Sequence, residues 1–340
     1  MEHYVGLDVS LKTTHVCVVG SDRTVTWRGV CDTNVEVLAG TLERWRGSIS
    51  LVGLETGSST PWLYHGLSAA GFPVVCMDAR RAADAMKARP EKTDKADAQA
   101  LAEMLACGWY SEVHVKSPAS HRLKAVLTAR GQLVSVRTQL YGQIRGLLRP
   151  FGVKISSRAG SRGFAQAVRT ACQREEVLYA AVSALLTALE AVETQIAALD
   201  RTVGEIVRGS PVCRLLTSVP GVGAVTALAF LATGEDPHRF GRSRSLGAYV
   251  GLTPRRYQSG KRDVTGSISR QGDGLLRHYL YEAANCLLTT VRQPSALRSW
   301  GLRLLKRISP KKARTAMARK LAVLLIGLWK RGEVFEARPV

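Results

Sequence analysis

The chain has 340 residues, 46% hydrophobic and 22% charged, a globular mixture that excludes a wholly disordered polypeptide. Lysine and arginine number 48 against 27 aspartates and glutamates, a formal net charge of +21. A small-molecule enzyme does not need such an excess, and a polyanion, nucleic acid first, is the partner it suits.

The charge is uneven. Residues 1–115 hold 11 basic and 14 acidic side chains, and the remainder holds 37 and 13. This reads as a near-neutral chemical unit joined to a basic unit that captures the polyanion. Seven cysteines, at 17, 31, 76, 107, 172, 213 and 286, make no CxxC pair and no Cys/His cluster, so a disulfide framework or zinc site is not expected.

Three short strands are predicted over 4–10, 14–20 and 24–30, the last two separated by a Ser21-Asp22 turn. A helix over 33–46 and a buried strand over 49–55 follow. Thr60 and Pro61 suit the N-cap and first position of a helix to about Ala70, before a strand at 72–78. A helix over Asp94 to Cys107, capped by Thr93, completes an α/β domain spanning 1–115.

The middle, 116–208, is predicted helical. Leu123, Val126, Leu133, Val136, Leu140 and Leu147 repeat at helical spacing, interleaved with Arg122, Lys124, Arg130 and Arg137 as candidate nucleic-acid contacts. A polar linker is expected at 154–163. From Leu178 to Ile206 apolar residues alternate in steps of four and three, a coiled-coil seam for a homo-oligomer or for the preceding basic helix of the same chain.

Residues 209–340 form a mostly helical C-terminal unit. Gly221 and Gly223 lie between two apolar helical pieces, like the turn of a helix-hairpin-helix that offers backbone N–H groups to a phosphate.

Four carboxylates stand apart by position. Asp8 ends the first strand, Glu55 ends the buried strand, and Asp94 and Asp97 share one face at a helix start. In an RNase H-like sheet these ends converge, and hard oxygen ligands favour Mg²⁺ or Mn²⁺ for phosphodiester cleavage. The segment 253–277 places Arg255, Arg256, Lys261, Arg262, Arg270 and Arg277 around Tyr257, Ser259, Ser267 and Ser269, with glycines between. Flexible backbone and cations suit close approach to phosphate, and one of these hydroxyls is a candidate nucleophile. The residues themselves do not say which.

Taken together the motifs resemble the insertion-sequence-110 type of transposase, the bridge-RNA-guided DNA recombinases. YVGLDVSLK, LVGLETG and KTDKADAQALAEML resemble that family's RuvC-like domain, which puts its DEDD tetrad on Asp8, Glu55, Asp94 and Asp97. SVPGVGAVTALAFLA and FGRSRSLGAYVGLTPRRYQSG resemble its transposase domain, which puts the nucleophilic serine on Ser259. The resemblance implies a Mg²⁺-binding recombinase that attaches covalently to DNA, takes a structured non-coding bridge RNA as guide, and works as a dimer or tetramer on donor and target DNA.

Two other readings compete. A junction resolvase or nuclease would use the carboxylates alone and leave 253–277 as grip. An actin-like ATP-using regulator, or a non-catalytic nucleic-acid binder, would share the opening Gly-Leu-Asp, but no P-loop is present. The N-terminus has no secretory pattern, and the apolar run Leu321 to Trp329 is too short to cross a bilayer. A cytoplasmic, nucleoid-associated prokaryotic protein with no membrane partner is expected.

Overall fold

Residues 2–87, 93–156, 161–173, 175–260 and 262–337 are described by a computed structural model of the chain. They fall into two units, Met1–Pro118 and Ala119–Val340.

In the first unit, β1 (His3–Val9), β2 (Thr13–Gly20) and β3 (Val25–Asp32) form an antiparallel meander. β4 (Ile49–Glu55) joins β1 in parallel and β5 (Val74–Met77) joins β4 in parallel, giving the order β3-β2-β1-β4-β5. Helices α1 (Val35–Leu42), α2 (Thr60–Ala69), α3 (Ala79–Met86) and α4 (Asp94–Ala106) cover the sheet. The two-residue period of a strand sorts β1: Val5 and Leu7 join a core with Leu38 and Leu42 of α1 and Leu63 and Leu67 of α2. Gly6 faces the other way and receives α4.

Two local details differ from the expected pattern. Ser59, not Thr60, is the residue before α2, and the Thr60 hydroxyl instead donates to the Glu55 carbonyl at 2.5 Å. Helix α3 is not among the expected elements; it is short and mostly alanine and arginine, Ala82 is buried with Ala85 and Met86 packed beside it, and Asp78 caps it by accepting from Arg80 N and Arg81 N.

The second unit holds α5 (from Pro118, Pro118–Leu148), α6 (Ser161–Cys172), α7 (Glu176–Gly209), α8 (Pro211–Thr217), α9 (Ala224–Gly234) and α10 (Ser245–Tyr249). An antiparallel hairpin follows, β6 (Pro254–Ser259) and β7 (Arg262–Ile268), and then α11 (Gly274–Thr289), α12 (Ala296–Leu305) and α13 (Pro310–Arg331). The expected linker at 154–163 falls partly outside the described residues.

The α7 seam is filled by the chain's own helices. Val182, Leu186 and Leu189 bury with Ile144 and Leu148 of α5 and Phe164 of α6, and Val203 and Val207 join the main core with Leu127. Ile196 is buried between them, and beside this line half-buried Glu193 accepts from Tyr141 Oη at 2.7 Å and exposed Asp200 accepts from Arg130 Nε at 2.5 Å. Of the expected repeat, Val182, Leu189, Ile196 and Val203 are buried, while Leu178, Leu185, Val192, Leu199 and Ile206 are half-buried on the flank. Helix α7 is also long and apolar enough to cross a membrane by length and composition, the single such helix among the described residues. The shorter run at Leu321 to Trp329 is instead core, with Leu321, Leu325 and Ile326 fully buried.

Candidate active site

The pairing of β1 and β4 runs through Leu7 opposite Leu54, so Asp8 and Glu55 occupy the next level at the C-terminal ends of two neighbouring parallel strands. Gly6 decides what lies over them. A Cβ there would stand 2.1 Å from the Ala98 carbonyl oxygen and 2.5 Å from Ala102 N, so glycine lets the α4 backbone rest directly on β1. Asp94 and Asp97 lie within the turn preceding Ala98, and Thr93 caps that turn by accepting from Ala96 N. The helix start is therefore held beside the strand ends.

The four carboxylates feel one another. The Asp8 carboxyl is pushed up by burial and by the charges of Asp94 and Asp97, with His15 pulling the other way. Burial raises Glu55 further, to about 7, helped by Asp8, Asp97 and Asp78. Glu55 Oε1 is buried with no hydrogen-bond partner, a state that costs stability unless a cation or proton satisfies it. Asp8 pairs with His15 across β1 and β2, and His15 Nε2 is 3.7 Å from Asp94 Oδ2. Among the described residues no three His, Cys, Asp or Glu side chains are gathered closely enough to hold a metal ion as they stand. The donor set fits a hard divalent ion all the same: oxygen ligands only, mutual repulsion, and an orphaned carboxylate oxygen.

The segment 253–277 is not the loose loop that its composition suggests. Its first half is the β6–β7 hairpin, whose strands are almost wholly exposed. Its base is clamped. A Cβ on Gly251 would lie 2.2 Å from the Gln271 carbonyl and one on Gly272 would lie 1.8 Å from the Tyr249 carbonyl, so two backbone segments cross in contact there. Ser269 N donates to Thr253 O at 2.8 Å, and Arg277 Nη1 to Val250 O at 2.9 Å. Ser259 lies at the far tip, where it pairs with Arg262 and precedes Gly260 at φ +54°. Tyr257 shares its face of the ribbon; Ser267 and Ser269 lie at the base end.

The expected nucleic-acid contacts are spread through the second unit, and several are engaged by the fold. Lys124 Nζ is 3.0 Å from the nearly buried Asp273, which also caps α11. Arg130 is held by Asp200, Arg256 by Asp263 across the ribbon at 2.9 Å, and Arg277 by the hairpin base. Arg256 therefore belongs to the face opposite Ser259. Gly221, at φ +89°, packs on α11, where a Cβ would be 2.8 Å from the Ala283 carbonyl. Gly223 is exposed at the start of α9. Arg122 and Arg137 lie on α5, Arg255 on β6, and Arg270 follows β7 in a left-handed conformation at φ +56°. Lys261 lies outside the described residues.

Residues 5–152 match a family model described as Transposase, of the DEDD insertion-sequence-110 class, and residues 213–299 match one described as Transposase IS116/IS110/IS902 family. The chain is 30% identical over 287 residues to the transposase for insertion sequence element IS1111A of Coxiella burnetii, covering 82% of this chain and 77% of that one. The chain belongs to the IS110/IS116 family of transposases. It is also 32% identical to a probable family 20 transposase of Pseudomonas aeruginosa, over 71% of this chain and 73% of the relative. The transposase for insertion sequence element IS1328 of Yersinia enterocolitica is 27% identical over 73% of this chain and 74% of its own length.

Sequence reasoning missed His15 and Asp78 around the carboxylates, and it named Arg262 without pairing it with Ser259. His15 was legible only as one residue of an alternating strand; the β1–β2 register brings it opposite Asp8. Asp78 follows a buried strand just as Glu55 does, a signal that was present, and it raises the Glu55 carboxyl from the end of β5. Arg262 was one of many cations until the hairpin paired it with Ser259.

Proposed function

We propose that this transposase cuts and rejoins DNA with two sets of residues, an RNase H/RuvC-like tetrad of Asp8, Glu55, Asp94 and Asp97 and a nucleophilic Ser259. The observation that supports the tetrad most is the coupling of the four carboxylates at the ends of β1 and β4, with Glu55 raised to about 7 and one oxygen orphaned. Asp8, Glu55, Asp94 and Asp97 would hold the divalent ion, Mg²⁺ or Mn²⁺, which supplies Lewis-acid stabilisation of charge on phosphoryl oxygens.

The serine step is a transesterification. Ser259 Oγ loses its proton and forms a bond to phosphorus, and the leaving strand departs with the released oxygen and a proton, so one phosphodiester replaces another. Arg262, opposite Ser259, supplies positive charge for the pentavalent state. Exposure of the tip and the glycine beside the serine leave room for a DNA backbone.

A non-coding guide RNA suits a chain with abundant cations and no major-groove reading helix recognised in its sequence. The half-buried apolar flank of α7 suits contact between copies of the chain. In this reading the three regions 1–115, 116–208 and 209–340 are the metal-binding, helical and serine parts of a cytoplasmic, nucleoid-associated recombinase.

Labelled DNA on a denaturing gel tests the proposal. Wild-type protein should leave a covalent adduct that disappears in Ser259→Ala while DNA binding persists. Cleavage with no adduct would favour the nuclease that uses carboxylates alone. A nucleotide found by mass spectrometry on Tyr257, Ser267 or Ser269 would overturn the assignment. Sequencing the RNA that copurifies tests the guide.

A further inference from the structure

Between residues 283 and 332 there are 12 lysines and arginines and no aspartate or glutamate. This stretch includes α12 and α13, and of its cations only Arg331 forms an ion pair among the described residues. The start of α13 breaks a local rule. Its first turn carries Lys311 and Lys312 and no acid, although the N-terminal end of a helix is already positive and favours carboxylates. Cations there raise the free energy of the unliganded protein, and an anion bound to the same end relieves it.

Beside this helix lies a groove of about 770 Å³ between α13 and the β7 side of the hairpin base. Its floor is apolar, with Leu252, Ile268 and Val323, and its rim carries exposed Lys311, Lys312 and Arg319. Trp300 closes one side under Lys320, whose Nζ stands 4.2 Å from the ring centroid. Thr265 of β7 also lines it, and Arg262, the partner of Ser259, is three residues further along the same strand, about 10 Å at the rise of an extended chain.

We infer that this groove holds an unpaired stretch of the DNA strand that flanks the phosphodiester attacked by Ser259. A duplex offers a surface mainly its phosphates and has no use for an apolar floor. Single-stranded DNA offers both, with bases for Leu252, Ile268 and Val323 and phosphates for the lysines and the α13 N–H groups. The inference deepens the serine reading and rests on it for the direction of the strand. Strand binding itself is measurable without any chemistry.

Two variants of the full chain test it with short fluorescent oligonucleotides: single-stranded DNA, the same sequence as RNA, and duplex DNA. Lys311→Gln with Lys312→Gln removes exposed charges that no acid balances. It should weaken single-strand binding and flatten the plot of log affinity against log salt by about 1.4, two contacts at ~0.7 each. Ala316→Trp fills the groove without changing charge and should weaken single-strand binding at least as much as duplex binding. A photo-crosslinking thymine analogue in the strand should label peptides of α13.

Unchanged single-strand affinity and salt slope in both variants would overturn the groove. So would crosslinks confined to α5, or a loss seen for RNA and not for DNA. The Ser259→Ala adduct assay is independent of these: losing the adduct there while both groove variants bind normally would sink the groove and spare the nucleophile. No adduct from wild-type protein, with binding lost in the groove variants, would do the reverse.

Discussion

Gly6 on β1 and Ala98 on α4 are in backbone contact: a methyl group on Gly6 would lie 2.1 Å from the Ala98 carbonyl oxygen. That contact positions Asp94 and Asp97, because they lie in the turn just before Ala98, while Asp8 is two residues beyond Gly6 on the same strand face. Gly6→Ala should push α4 away from β1, at a cost of about 1–3 kcal/mol as an overpacked contact. Denaturant unfolding measures the loss, and divalent-ion-dependent activity should fall more steeply than stability does. Equal activity in Gly6→Ala would separate the helix contact from the site.

Glu55 gives a pH dependence with a definite sign. Its folded value of about 7 exceeds the ordinary 4.5, so between these values the folded chain binds more protons than the unfolded one. Stability of the metal-free protein should therefore decline as pH rises from about 4.5 to about 7. Glu55→Gln should flatten that decline and stabilise the chelator-treated protein at pH 8, while abolishing recombination. Mg²⁺ binding by the wild type should release protons below pH 7. Calorimetry in buffers of different ionisation enthalpy checks this, and no proton release would remove Glu55 from the ligand set.

Arg262 faces Ser259 across the closing pair of the hairpin. Arg262→Gln should slow adduct formation by about 100- to 1000-fold, the range for losing one donor to a charged transition state, with little change in DNA affinity. Single-turnover adduct kinetics under saturating DNA provide the test. An equal fall in affinity and rate would make Arg262 a binding residue only.

Lys124 should behave as a structural residue. It pairs with Asp273, whose side chain is 6% exposed and also accepts from Leu276 N at the start of α11. Removing Lys124 takes away a cation that the carboxylate faces, and because the lysine is part-exposed Lys124→Met should cost about 1–3 kcal/mol of stability. Asp273→Asn in the Lys124→Met background should recover part of it. Nucleic-acid binding by the folded fraction of Lys124→Met should match wild type, as fluorescence anisotropy reports.

Helix α7 separates folding from assembly by face. Leu186→Ala opens a void in the core shared with Ile144 and Phe164, and should cost about 2–5 kcal/mol. Val192→Glu with Leu199→Glu alters only the half-buried flank. It should leave the fold intact and reduce the oligomeric mass seen by light scattering, and an unchanged mass would leave α7 as an internal helix alone.

By itself the sequence determined the main strands and helices of the first unit but not α3 or the β6–β7 hairpin, since the period of its apolar residues distinguishes strands such as Ile49–Glu55 from helices such as Asp94–Ala106. The charged residues that end or start those elements were legible for the same reason: a carboxylate directly after a buried strand breaks the pattern. Partner choice was not legible, because it depends on residues distant in the chain. The β1–β2 register put His15 opposite Asp8, the cross-strand pairing put Arg262 opposite Ser259, and α5 claimed the α7 seam through Tyr141 and Arg130. Whether a cation is free or spent is likewise a tertiary property. Lys124 and Lys311 look alike in sequence, yet a buried Asp273 meets only the first, and the groove beside α13 is left with the second.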